Sequence, residues 1–400
     1  MERWRVNLYT LWCVQIISLM SFGFGVPFLP YYIQELGVTD PDKLKIYTGI
    51  LNAAPAITLA IMAPIWGVLS DKYGKKLMLL RSMLCASFII GGMGLATCAE
   101  HLIILRLAQG LFTGTVTASS ALVASNTPDN RLSYALGFLS SSTFIGFSIG
   151  PVIGGFIAEY VGYRVSFFIG AALMMLDFIV VMFVVTEGKK PESVARENKK
   201  EAIPLVHMFT ILISTMLALL FFSRVARTVF GSYIPLYVQE IRASMEGAAG
   251  VTGIIGGVTG FMTALAGITI SRLGDKYNKK NIIMVLIISG IIISLPLVLL
   301  NNLWFFTAVY GMLFFAMGGL EPLIMSVTSE NTPAERRGTL FGIQTLVGSA
   351  GWAVSPLLGS FVSIKFNLRT VLVLIPISLL FALIIALPVK IKKEIPCDTN

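Results

Sequence analysis

Twelve apolar runs, each about 18–25 residues long, constrain this chain more than any other feature, because that is the length of helix that crosses the hydrocarbon layer of a bilayer. They fall at 8–30, 47–69, 78–98, 102–124, 134–158, 163–186, 207–230, 249–271, 281–300, 303–327, 339–362 and 368–389, and are numbered spans 1–12. In lipid every backbone polar group must find its partner inside the protein, so runs of this length form helices; barrel strands would be about half as long. Composition agrees. Hydrophobic residues make up 56% of the 400 residues and charged residues 13%, against about 25% charge in a soluble domain. The expected fold is an all-α membrane protein. The run after Met1-Glu2-Arg3-Trp4-Arg5 continues to Pro27 and Pro30 without a small-x-small cleavage site, and is read as span 1 and not as a signal peptide.

Lys and Arg set the orientation. With both termini on one side, 21 of the 30 basic residues fall in segments on that side, 6 on the other and three inside spans. This asymmetry places both termini in the cytoplasm. It also accounts for the net charge of +9 without nucleic acid. Residues 187–206 form the only long hydrophilic connector between spans, and read as a linker between an N-terminal six-helix half, 1–186, and a C-terminal half, 207–400. Cys13, Cys85, Cys98 and Cys397 form no C-x-x-C pair, and His101 and His207 have no ligand partner nearby in sequence, so neither a disulfide framework nor a metal site is expected.

The two halves repeat at an offset of 205. Pro30-Tyr31-Tyr32-Ile33-Gln34-Glu35 matches Pro235-Leu236-Tyr237-Val238-Gln239-Glu240, and Asn126-Thr127-Pro128 matches Asn331-Thr332-Pro333. Gly137, Gly146, Pro151, Gly154 and Arg164 match Gly342, Gly351, Pro356, Gly359 and Arg369. Six spans per copy is an even number, so both copies enter the membrane in the same direction. Such parallel duplications place a substrate site between the halves and alternate access by rocking one half on the other.

Between spans 2 and 3 lies Gly67-x-x-x-Asp71-x-x-Gly74-Lys75-Lys76. Gly67 suits close helix approach, Gly74 an unusual backbone angle, and Asp71 a helix N-terminus or a cation. Span 4 carries Arg106-x-x-Gln109-Gly110. A charge in lipid costs about 2.5–3.5 kcal/mol, so Arg106 either serves function or snorkels to the outer surface. Span 5 carries Gly137-x8-Gly146-x3-Gly150-Pro151-x2-Gly154-Gly155, which aligns small residues on nearly one face and lets helix backbones approach. Pro151 removes a backbone donor there.

These three segments resemble motifs A, B and C of the major facilitator superfamily, and Pro27-Phe28-Leu29-Pro30 resembles a further motif of its twelve-span drug:proton antiporters, the multidrug and tetracycline efflux branch above all. The resemblance covers essentially the whole chain. It implies two pseudo-symmetric six-helix bundles, a cytoplasmic latch at Asp71, proton coupling at Arg106, and export as the transport direction. The second latch copy keeps Asp275 but has Ser271 and Asn278 in place of the glycines.

With Arg81, Arg164 and Arg369 counted among the flanking segments, five charged residues remain inside spans: Arg106, Asp177, Arg224, Arg227 and Glu321. In the family, spans 1, 4, 7 and 10 line the central cavity, which makes Glu321 the leading protonatable carboxylate, unless it is solvated near the cytoplasmic end. Asp177 sits on a peripheral span and is a second proton-coupling candidate or a structural partner of a neighbouring helix. Arg224 is the candidate for binding an anion, and Arg227 is expected to snorkel outward. Phe22, Phe24, Phe222, Tyr233, Tyr310 and Phe314 are candidate cavity aromatics.

The leading functional expectation is a proton-driven exporter of amphipathic compounds, acting as a monomer in the cell membrane on a small-molecule substrate and protons, surrounded by lipid, and neither an enzyme nor dependent on a cofactor. No G-x-x-x-x-G-K-[ST] segment points to ATP. Two alternatives stand beside it: export of one endogenous metabolite such as a sugar, amino acid or siderophore, and a transport-inactive membrane sensor.

Overall fold

The computed structural model describes residues 2–128, 131–187, 210–332 and 337–388. It contains twelve helices long and apolar enough to cross a membrane, and no strand among the described residues. Each lies on one of the predicted runs, but most are longer. Span 1 covers Arg3–Glu35, span 2 Pro41–Ser70, span 7 Ile211–Arg242 and span 10 Leu303–Glu330. Hydropathy marks only the apolar stretch of a helix, whereas the helix runs on until a cap stops it. Span 2 begins where the Asp40 carboxylate accepts from the backbone N–H of Asp42 at 3.0 Å and of Lys43 at 2.8 Å, with Pro41 at the first helical position. Of the linker expectation, only Glu187 lies among the described residues, and His207 and Cys397 lie outside them.

The sequence repeat reappears as matched interruptions in the helices. Span 1 passes through a 3-10 turn at Val26–Phe28, and span 7 through one at Gly231–Tyr233, 205 positions later. Span 4 breaks before Thr115, where Gly114 has φ +147°, and span 10 breaks at Gly319, again 205 positions later. In span 1 the cause is visible in the sequence: Pro27 and Pro30 offer no N–H to the preceding turn.

Packing follows the same repeat. Span 1 lies against spans 5 and 6 and the second segment of span 4; span 7 lies against spans 11 and 12 and the second segment of span 10. The first six spans meet the last six along two seams, span 5 on span 8 and span 2 on span 11. At the mouth away from the termini the seams are bridged by polar contacts. Tyr31 Oη donates to the Pro235 carbonyl at 2.7 Å and lies 2.9 Å from Thr252 Oγ1, and the Glu159 carboxylate accepts from Gly247 N–H. Toward the termini the helices part. A Cβ at Gly67, Gly137 or Gly342 would have nothing within 4 Å. Gly67 therefore makes no close helix approach to the described residues, contrary to expectation: it stands exposed with no neighbour packed on it.

Candidate functional site

Glu321 opens the second segment of span 10, just past the break at Gly319. Arg224 and Arg227, three residues apart, present one face of span 7 to it. Arg224 Nη2 is ion-paired and hydrogen-bonded to Glu321 Oε1, and Arg227 Nη1 lies 3.7 Å from Oε2. The three side chains are only 33%, 22% and 25% exposed for Arg224, Arg227 and Glu321. Arg227 thus does not snorkel. Pairing with Glu321 on one side, and the Phe314 ring 5.6 Å below its guanidinium on the other, hold it inside. Gly351 of span 11 makes room for Arg224: a Cβ there would stand 3.0 Å from the arginine Cβ. Arg224 Nε is buried and has no hydrogen-bond partner. One carboxylate between two guanidinium groups carries net charge +1.

Arg106 is 4% exposed, which excludes the surface-snorkelling alternative. Its Nε donates to the Leu51 carbonyl at 2.7 Å, and its Nη1 to Gln109 Oε1 at 2.6 Å. The Leu51 carbonyl is free because Pro55, four residues on in span 2, has no N–H to give it. The buried cation is met by a carbonyl and an amide, and joins no ion pair among the described residues. Pro55 was not singled out from the sequence; a proline inside span 2, four residues after an apolar carbonyl, was the available signal.

Asp177 of span 6 is fully buried, and Ser18 Oγ of span 1 donates to its Oδ2 at 2.8 Å. Its Oδ1 has no partner. The position is peripheral, yet it is tied to a helix that also carries Gln15, whose Nε2 reaches Thr143 Oγ1 of span 5 at 2.8 Å.

The glycine run of span 5 contacts two helices. Toward span 1, a Cβ on Gly146 would lie 2.6 Å from Leu19 Cβ, one on Gly150 3.0 Å from Met20 Cα, and one on Gly154 2.5 Å from Phe24 Cα. Toward span 8, Pro151 faces Gly253 and Gly256, and a Cβ on Gly155 would lie 2.6 Å from the Ala249 carbonyl. Ser148 Oγ donates to the Gly257 carbonyl at 3.0 Å across the same seam. Gly23, Gly253 and Gly256, the receiving surfaces, were not recognised in the sequence, since close packing needs smallness on both helices and a single helix carries only half the pattern. Gly137 stands outside the contact, past the point where span 5 leaves span 8.

In the turn between spans 2 and 3, Gly74 has φ +102°, as its position required. The helix N-terminus behind it is taken by Glu187, whose carboxylate accepts from Lys75 N–H at 2.7 Å and Lys76 N–H at 3.2 Å. The Lys76 ammonium donates to the Met182 carbonyl at 2.9 Å. The side chains of Asp71 and Asp275 lie outside what the structure describes.

The aromatic candidates divide. Phe314 borders the ion-paired cluster and packs on Tyr310 at 4.9 Å. Tyr233 is fully buried, donating to the Pro356 carbonyl at 2.6 Å, and Tyr310 is buried against Phe306 at 5.2 Å. Phe24 is also buried. Phe222 stacks on Phe381 of span 12 at 5.6 Å, so it faces a neighbouring helix and not a cavity. Phe22 is half-buried. Apolar patterning cannot orient these rings, because lipid and helix interfaces are equally apolar solvents for them.

A family profile described as Major Facilitator Superfamily matches residues 11–356 and, overlapping, 249–396. The sequence is 32% identical over 373 residues to a Proteus mirabilis protein named multidrug resistance protein MdtG, covering 92% of each chain. It is 30% identical over 371 residues to a Lactococcus lactis protein named multi-drug resistance efflux pump PmrA homolog, covering 92% of this chain and 91% of that one. Among solved structures, the fold matches a bacterial homolog of the human lysosomal transporter Spinster, in an inward-facing and occupied conformation, with a TM-score of 0.78 at 14% identity over 97% of each chain. It also matches a mutant of the nucleoside transporter NupG, with a TM-score of 0.76 at 14% identity over 96% of this chain and 99% of that one. At such identities the likeness is one of fold.

Proposed function

From its membership of the Major Facilitator Superfamily, to which this chain belongs, we propose that it exports amphipathic compounds, drugs among them, in exchange for protons. The names of the relatives support the direction and the substrate class. The observation that carries the mechanism is the single carboxylate of Glu321 held between Arg224 and Arg227. The basic residues favour termini in the cytoplasm, so the open mouth faces inward and the closed one outward. The two moving bodies are the six-helix halves 1–186 and 207–400.

A substrate entering from the cytoplasm meets the Glu321 carboxylate in its ion pair with Arg224. A cationic or hydrogen-bond-donating group on the substrate competes with Arg224 for that carboxylate. Once the outer mouth opens, an arriving proton cancels the negative charge and dissolves the attraction to both substrate and arginines, and the substrate leaves. On the return the proton departs inward and the ion pairs re-form. Arg106 keeps a positive charge in the opposite half, and the unpartnered Oδ1 of Asp177 is a second place for a proton. In proteoliposomes with a pH-sensitive dye, substrate-driven proton movement is expected in the wild type and its loss in Glu321→Gln. Wild-type coupling in both Glu321→Gln and Arg106→Ala overturns this assignment.

The excess of guanidinium over carboxylate around Glu321 favours one second reading, export of an endogenous anion. A metabolite that accumulates in a deletion strain without any drug sensitivity would select it.

A further inference from the structure

On the side of the termini, the ends of spans 1 and 5 enclose a cavity of 230 Å³ lined by Trp4, Arg5, Leu8, Tyr9, Arg131 and Tyr134. No residue of the proposed coupling site lies in it. Its wall is aromatic in depth. Phe138 stacks on Trp12 at 5.3 Å and on Tyr134 at 6.1 Å, and meets Tyr9 edge-on at 5.5 Å. Trp12 is held by its Nε1–H, which donates to Ser141 Oγ at 2.9 Å. The outer rings stay wet: Tyr9 is 41% exposed and Tyr134 53%. Interfacial aromatics place their rings at the headgroup level; these also stack on one another and line a concavity.

The rim is basic. Among the described residues the carboxylate at this rim is Glu2, and it is already committed: its Oε2 accepts from Trp4 Nε1 at 2.8 Å and pairs with Arg5 Nε at 3.3 Å. Arg131 is exposed and enters no ion pair among the described residues. A guanidinium offers a planar fork of donors that matches a carboxylate, sulfonate or phosphate, and aromatic rings offer faces and edges to another ring. The volume is below the roughly 300–1,000 Å³ of sites that engulf a drug-sized ligand, so one or two rings fit.

We propose that this cavity is a loading site for small aromatic anions, with the ring of the ligand against Tyr9 and Tyr134 and its anionic group on Arg131. The role in loading rests on the anion-export reading above; the binding does not. Placed at the cytoplasmic ends of spans 1 and 5, the site concentrates such compounds beside the open mouth before they reach Arg224 and Arg227.

The test uses the purified full chain in nanodiscs of phosphatidylcholine. 2-Naphthoate is titrated by calorimetry and by tryptophan fluorescence, with neutral 2-naphthylmethanol as the control. Saturable naphthoate binding is expected, weakened roughly tenfold or more by Arg131→Gln, with the neutral control indifferent to that change. Tyr134→Ala weakens both. Arg131 is exposed, so the variant is expected to fold, and gel filtration checks this. Naphthoate affinity unchanged in Arg131→Gln overturns the proposal. So does loss of all naphthoate binding in nanodiscs containing phosphatidylglycerol, which assigns the site to a lipid headgroup. Dye export is measured on the same proteins. Absent export with Arg131-dependent binding sinks the export reading alone, and intact export with Arg131-independent binding sinks the loading site alone.

Discussion

Gln34 and Gln239 exchange two hydrogen bonds, each side-chain Nε2 donating to the other's Oε1 at 2.9 Å. They stand 205 residues apart and occupy the same place in the two copies of the repeat. Two equivalent positions can touch only where the axis relating the copies passes between them. The axis therefore runs through this amide pair, at the mouth that is closed. Each amide also satisfies the other completely in one donor and one acceptor, which lets the pair survive partial burial.

This pair acts as a clasp on the closed mouth. Net of water, two neutral hydrogen bonds contribute about 2 kcal/mol, or roughly a 30-fold change in an equilibrium. The double variant Gln34→Ala with Gln239→Ala is expected to shift the population toward opening at this mouth. Spin-label distances between the outer ends of spans 1 and 7 measure it, and an unchanged distribution removes the clasp role.

The two arginines of the ion-paired cluster are unequal. Arg224 makes a charge-assisted hydrogen bond to Glu321, whereas Arg227 at 3.7 Å interacts by charge alone. Arg224→Gln is expected to lower the export rate about tenfold or more, and Arg227→Gln by about threefold or less. Transport of a fluorescent substrate into inverted vesicles gives the order; a reversed order means that Arg227 is the working partner.

Arg106 depends on a proline in another helix. In Pro55→Ala a new N–H becomes available to the Leu51 carbonyl and competes with the arginine for it. The helix itself gains a backbone bond, so expression and thermal stability are expected to hold or rise. Export is nevertheless expected to fall, as in Arg106→Lys, whose point charge cannot reach both the carbonyl and Gln109. Full activity in Pro55→Ala would show that the freed carbonyl is incidental.

Two glycines of the span 5 run are predicted to behave oppositely. Gly154→Ala puts a methyl group 2.5 Å from the Phe24 Cα, a backbone atom that cannot swing aside, and overpacking of this kind costs about 1–3 kcal/mol. Gly137→Ala meets open space and is expected to stay within about 0.5 kcal/mol. Melting in detergent, followed by fluorescence-detected size exclusion, compares them. Equal destabilisation would mean that Gly137 packs in the dominant solution state.

Much of the site was visible in the chain as residue types out of place. Arg106, Asp177, Arg224, Arg227 and Glu321 stood out because charge is costly in lipid, and all five are held away from the surface; Arg227 alone was expected to point outward, because distance from a span end says nothing of a partner on another helix. The aromatics were misread more widely. Phe222 and Tyr233 are as apolar facing a helix as facing a cavity, so no periodicity separates the two.

What the sequence by itself determined was the number of spans and their repeat, because those depend on local length and hydropathy along one chain. Tertiary structure alone decided who meets whom: Glu321 with two arginines, Arg106 with a carbonyl that Pro55 leaves free, Gly154 with Phe24, and Gln34 with its own counterpart. Each of these contacts joins residues on different helices, and in lipid such pairings are set by shape and unmet hydrogen bonds between helices, quantities that no single apolar run contains.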